Sequence, residues 1–182
     1  MTGQGGGVPR GIRFGVDVGD VRVGLARSDL DGLIATPIDT LARDTAAATV
    51  LDHVREMEPR AIMVGLPRRL DGSEGPAARK ARDFCAELTA ALLAAGQDVE
   101  VRLVDERLTT VDAHKALHSA GRKGRKHRTV VDQVAAVMIL QSALETERST
   151  GARAGELVEP ALPDGTPPDG EVPPSSPARK EP

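Results

Sequence analysis

Between Ile12 and Ile38 the chain shows three apolar strand patterns in succession, and the gaps between them are too short to hold a helix. Ile12, Phe14, Val16 and Val18 alternate with Arg13, Gly15 and Asp17, which is the period of a half-buried strand. Gly19 marks a turn, and a second strand follows from Val21 to Ala26. Asp31-Gly32 is a strong turn signal, after which Leu33 to Ile38 reads as a third strand. Strands this close, joined by tight turns, imply an antiparallel meander.

Beyond the meander the pattern changes to alternating helices and strands. Arg43 to Met57 carries helical periodicity through Val50, Leu51 and Val54, and Glu58-Pro59 ends it. Ala61 to Leu66 is a short apolar run, read as a buried strand. A loop with Pro67, Asp71-Gly72 and Gly75-Pro76 leads into a helix reaching about Ala95. Ala81, Phe84, Cys85, Leu88 and Leu92 form one stripe of that helix, and Gly96 closes it. Val99 to Val104 is a fifth strand, Thr109 to Leu117 a short helix, Gly121 to Arg128 a basic loop, and Val130 to about Glu147 a last helix. The expected fold class is therefore α/β, with a mixed five-stranded sheet flanked by helices. The expected domains are a flexible lead over 1–10, one folded domain over 11–150, and a disordered, proline-rich acidic tail over 151–182.

Composition narrows the function. The formal net charge of -3 argues against a nucleic-acid protein, yet the six acidic and three basic residues of 151–182 account for all of it. Arg122, Lys123, Arg125, Lys126 and Arg128 form a local basic run punctuated by Gly121 and Gly124. Flexible positive charge of this kind suits a phosphate backbone. The two aromatic residues, Phe14 and Phe84, are too few for base stacking on aromatic platforms to be the main recognition mode. One cysteine, Cys85, allows no internal disulfide and no cysteine-based zinc site, and it lies on a buried helix stripe. No stretch has the length of a bilayer span, and Met1 to Arg10 lacks an apolar signal core, so the expected location is cytoplasmic, with no membrane partner.

Three carboxylates stand at element ends. Asp17 closes the first strand, Glu106 follows the fifth, and Asp132 opens the last helix. If strands one and five are parallel neighbours, Asp17 and Glu106 meet at their carboxyl ends, and a helix packed across them brings in Asp132. Clustered carboxylates repel one another unless a cation sits between them, and Mg2+ or Mn2+ prefers such oxygen ligands. Each acid has a plainer reading as well. Asp17 serves as a turn residue, Glu106 pairs with Arg107 or Arg102, and Asp132 completes a capping box with Thr129. Spacing alone does not choose between these readings.

Four segments together resemble a known family. Asp17-Val18-Gly19-Asp20-Val21-Arg22-Val23-Gly24 is similar to the opening motif of the YqgF family, the RuvX-type Holliday junction resolvase-like proteins. Val64-Gly65-Leu66-Pro67 with Asp71-Gly72-Ser73-Glu74-Gly75 resembles its second motif, and Asp105-Glu106-Arg107-Leu108-Thr109-Thr110 its third. The run from Asp132 to Gln141 resembles its fourth. The resemblance implies an RNase H-like fold and a nuclease that completes the 5′ end of 16S ribosomal RNA. It also implies that Asp17, Glu106 and Asp132 are the catalytic and metal-binding acids. Arg22, Arg68, Arg69 and Arg107 border these segments and are candidate phosphate ligands beside the basic run.

The expected function is thus metal-dependent phosphodiester hydrolysis, with water as nucleophile. The expected partner is structured RNA, namely precursor 16S rRNA, alone or in a pre-ribosomal particle, and the protein is a monomer or homodimer. One rival is a resolvase of branched DNA. Another is a ribosome-associated RNA-binding factor whose acids only shape the site. An ATP-binding protein of the actin-like superfamily shares the early aspartate-glycine turn, but 182 residues are too few for its two lobes.

Overall fold

The computed structural model describes residues 7–108 and 125–160. Three strands open the fold: β1 (Arg13–Val18), β2 (Arg22–Ser28) and β3 (Ala35–Ala42), each antiparallel to the next. Helix α1 (Ala46–Met57) leads to β4 (Ala61–Leu66), which pairs with β1 in parallel. Helix α2 (Pro76–Ala94) leads to β5 (Glu100–Asp105), parallel to β4. A single 3-10 turn at Glu106–Leu108 follows, then α3 (Arg125–Thr150) and a short β6 (Glu156–Leu157) antiparallel to β5. The sheet order is β3-β2-β1-β4-β5-β6, a mixed α/β architecture consistent with an RNase H-like fold.

Alternation in β1 divides the core into two layers. Phe14 and Val16 point to the face covered by α1 and α2, where they join Val50, Val54, Phe84 and Leu88. Arg13, Gly15 and Asp17 point to the face covered by α3, whose Ala136, Ile139, Leu140 and Leu144 pack on Ala26, Ala61 and Met63. α3 lies unusually close to this face. A Cβ at Gly15 would fall 2.5 Å from that of Leu140, and one at Gly24 would fall 2.1 Å from the carbonyl oxygen of Asp132. Glycines inside strands here serve backbone contact with a helix.

Local chemistry explains the element ends. Glu58 adopts a left-handed conformation (φ 47°), its N–H donates to the carbonyl of Val54, and Pro59 prevents continuation of α1. β3 starts later than the apolar pattern predicts, because the Asp29 carboxylate accepts the N–H groups of Leu33 (2.7 Å) and Ile34 (2.9 Å) and holds both in a turn.

Four expectations need correction. Among the described residues the sheet has six strands, not five, and β4 lies between β1 and β5, so these two are not neighbours. The folded part does not stop at residue 150. Ala154 is buried, and Arg102 donates to the carbonyls of Ala154 and Gly155 at 2.8 Å each, fastening 153–157 along β5. A two-residue strand leaves no periodicity to read. α3 begins at Arg125 rather than Val130, since Arg and Lys are good helix formers and the interrupting glycines all precede them. Asp132 therefore lies inside the helix and does not cap it. The helix expected over Thr109 to Leu117 lies outside the described residues.

Candidate active site

The parallel strands β1, β4 and β5 end at one edge of the sheet, the edge where functional groups of such folds collect. Asp17 is next to last in β1, paired across the ladder with Gly24 of β2. On its other side Val16 pairs with Val64, which places Gly65 of β4 beside Asp17. Glu106 follows directly on β5 and lays its carboxylate over Gly65, where a Cβ would come within 2.5 Å of its Oε1. Asp132 arrives from α3, its backbone seated on Gly24. The two glycines thus clear the ground on either side of Asp17, and one further acid approaches from each side.

Electrostatics records this proximity. Burial, and then the facing Asp132, push the Asp17 carboxyl up to about 6. Burial, then Asp17, then Asp105 push Glu106 up to about 7. Asp132 is offset by Arg22, whose Nε lies 3.3 Å from its Oδ2. Among the described residues no three Asp, Glu, His or Cys side chains converge tightly enough to ligate one ion as they stand. The donor set is nonetheless all carboxylate oxygen, and its mutual repulsion calls for positive charge, which is the chemistry of a hard divalent cation.

The other candidates divide into committed and open groups. Arg68 lies near Glu74 (3.3 Å), Glu156 (3.7 Å) and Asp105 (3.8 Å). Arg107 grips Asp105 through Nε (3.1 Å) and Nη2 (2.6 Å), holding that carboxyl below its ordinary range. Arg69 is exposed and donates to the Ser73 hydroxyl at 3.4 Å. Arg125, Lys126 and Arg128 belong to the first turns of α3, while Arg122 and Lys123 lie outside the described residues. Cys85 is buried, which pushes its thiol up to about 12 and makes it a core residue. Sequence reading overlooked the bracing around this edge: Asp105, Glu74, Arg82 and Glu156. The glycine at position 65, inside an apolar strand, is the sequence signal for the close approach of Glu106.

The fold and this acidic edge define a class, the RNase H-like proteins with carboxylates at the ends of the central strands. Residues 11–146 match the profile of the RuvX Holliday junction resolvase family, and the chain belongs to that family. A proposed pre-16S rRNA nuclease of Nocardioides sp. is 49% identical over 82% of this chain and 97% of its own length. Another, of Streptomyces coelicolor, is 52% identical over 82% of this chain and 89% of its own. Among solved structures, T. thermophilus RuvC in complex with a Holliday junction substrate superposes with a TM-score of 0.53 at 17% identity, covering 81% of this chain and 99% of that one. At that identity the likeness concerns the fold.

Proposed function

We propose that this chain is a metal-dependent nuclease of ribosome biogenesis that trims the 5′ end of precursor 16S rRNA. The observation that carries the reading is the group of acids at one sheet edge, Asp17 on β1, Glu106 after β5 and Asp132 on α3, with Asp17 central. High identity to relatives named for that substrate supplies the RNA. Asp17, Glu106 and Asp132 would hold Mg2+ or Mn2+, which when bound neutralises phosphodiester charge and sharpens a water nucleophile. The β1–β2 ladder fixes the backbone of Asp17 opposite Gly24. Arg22 orients Asp132 through its guanidinium. Burial and the neighbouring Asp17 raise Glu106 to about 7, so a bound cation would favour its ionised form. Arg69 and the basic run 122–128 bind phosphates along the strand, without reading bases.

Purified protein, given labelled precursor 16S RNA spanning the 5′ end and a four-way DNA junction, tests this in Mg2+ and in EDTA. RNA cleavage that needs the metal is the expected result. Cleavage of the junction alone moves the substrate to branched DNA, and binding without cleavage makes the protein an RNA-binding factor. Replacing Arg122, Lys123 and Arg125 with alanine should lower the slope of log affinity against log salt by about 0.7–0.9 per lost phosphate contact.

A further inference from the structure

Phe14 and Phe84 are wholly buried, and the chain has no tryptophan or tyrosine. A nucleobase at this surface therefore meets no phenyl or indole ring to stack on, and any apolar contact must be aliphatic. Leu70 is 92% exposed, more than any other large hydrophobic residue described. It stands at the tip of the loop from β4 to α2, which springs from the strand lying between the strands that carry Asp17 and lead to Glu106.

The loop is built to hold that tip rigidly. The Gly72 N–H donates to the Arg69 carbonyl at 2.9 Å, closing a β-turn with Leu70 in its second position. The Arg69 N–H donates to the Ser73 carbonyl at 2.9 Å. The Asp71 carboxylate accepts both the N–H (2.9 Å) and the hydroxyl (2.6 Å) of Ser73. At the base of the loop Glu74 accepts two hydrogen bonds from Arg82, each 2.7 Å. The guanidinium of Arg107, next in sequence to Glu106, lies 3.5 Å from where a Cβ on Gly72 would sit. The apex therefore stands beside the acidic edge. Turn apices ordinarily carry polar residues; here a stiff turn holds a bare leucine in water, with the exposed Arg69 before it and Arg107, already paired with Asp105, beside Gly72.

Cations on the flanks and an aliphatic tip between them match a phosphate backbone with a base face exposed at its end. We propose that Leu70 is a wedge that packs on the terminal base pair where an RNA duplex gives way to single strand, so that the strand to be cut runs unpaired onto Asp17 and Glu106. Apolar side chains used this way separate base steps at a cost of unstacking that added contact offsets. The inference rests on the nuclease reading above and adds to it a preference for duplex–single-strand junctions.

The test uses the full chain, an RNA hairpin with a single-stranded 5′ extension, and that extension alone. Leu70→Ala should lower the ratio of kcat/KM on the hairpin to that on the single strand by about tenfold, the scale of one leucine contact removed. Leu93→Ala, an exposed leucine at the far end of α2, should leave the ratio unchanged. Separately, 2-aminopurine in the terminal pair should brighten when Asp17→Asn protein binds in Mg2+, and brighten less when Leu70→Ala is added. An unchanged ratio, or equal brightening with and without Leu70, overturns the wedge. Absence of cleavage with Leu70-dependent brightening would instead overturn the nuclease reading and leave the wedge standing.

Discussion

Strand β1 and helix α3 meet at both of their ends, and they handle charge in opposite ways. At one end Arg13, 4% exposed, faces Glu147, 3% exposed, with Nε 3.2 Å from the carboxylate. Arg13 also donates to the carbonyls of Gly11 and Pro9. At the other end, on the same face of the same strand, Asp17 faces Asp132, like against like. The first contact is complete and locks helix to sheet. The second is only partly offset, by Arg22 at 3.3 Å from Asp132, and Asp17 itself keeps the repulsion. A buried pair is costly to break, whereas a like-charge clash is relieved by removing one partner.

The largest expected effect follows from the unfinished end. Asp17→Asn keeps the shape and removes a charged ligand, so RNA cleavage should fall by about three orders of magnitude or more, measured in single-turnover assays at saturating Mg2+. Retained activity in the folded variant would remove Asp17 from the site. At the finished end Glu147→Ala leaves Arg13 buried without its anion and should cost about 3–5 kcal/mol in urea unfolding. A loss under about 1 kcal/mol would show that water reaches Arg13 and that the two ends are less different than the structure indicates.

A smaller effect links the ends through pH. The folded pKa of Asp17, about 6, lies above its unfolded value, so the folded state holds the extra proton. Stability from this group is full below about pH 4 and is lost as pH rises through 6. Metal-free Asp17→Asn protein should therefore be more stable than the parent by about 1–3 kcal/mol at pH 8, with the gap closing towards pH 4. Calorimetry in EDTA across that range checks it, and a gap independent of pH would contradict it. The smallest effect concerns what leans on Glu147, which also receives Arg153 at 3.2 Å and the Ala154 N–H at 3.5 Å. A chain ended at residue 150 should melt about 5 °C below one ended at residue 160. Equal melting temperatures would detach the segment from the Arg13–Glu147 lock.

Much of this comparison was legible in the sequence, but only one residue at a time. Alternation from Ile12 to Val18 fixed which face Arg13 and Asp17 share, and apolar stripes placed α2 and its strands. Asp17 stood out as a charge at an apolar strand end, and the four-segment resemblance joined it to Glu106 and Asp132. Partnerships across long separations were not legible. Nothing in the spacing pairs Arg13 with Glu147 or puts β4 between β1 and β5, because both depend on how the parallel crossovers stack. The segment 153–157 looked like tail, since its backbone carbonyls accept from Arg102 and leave no hydrophobic period. Gly24 reads in the sequence as a place for close backbone approach, but nothing there says that α3 is what approaches.

The seating of α3 on Gly15 and Gly24 has a consequence for synthesis. A ribosome releases the chain from its amino end, so β1 with Asp17 emerges early and the helix with Asp132 comes near the end of the domain. Through most of translation the nascent sheet presents one bare glycine-floored face and at most two of the three acids. The acidic edge is thus complete only when the last helix has left the exit tunnel and found its seat on Gly15 and Gly24.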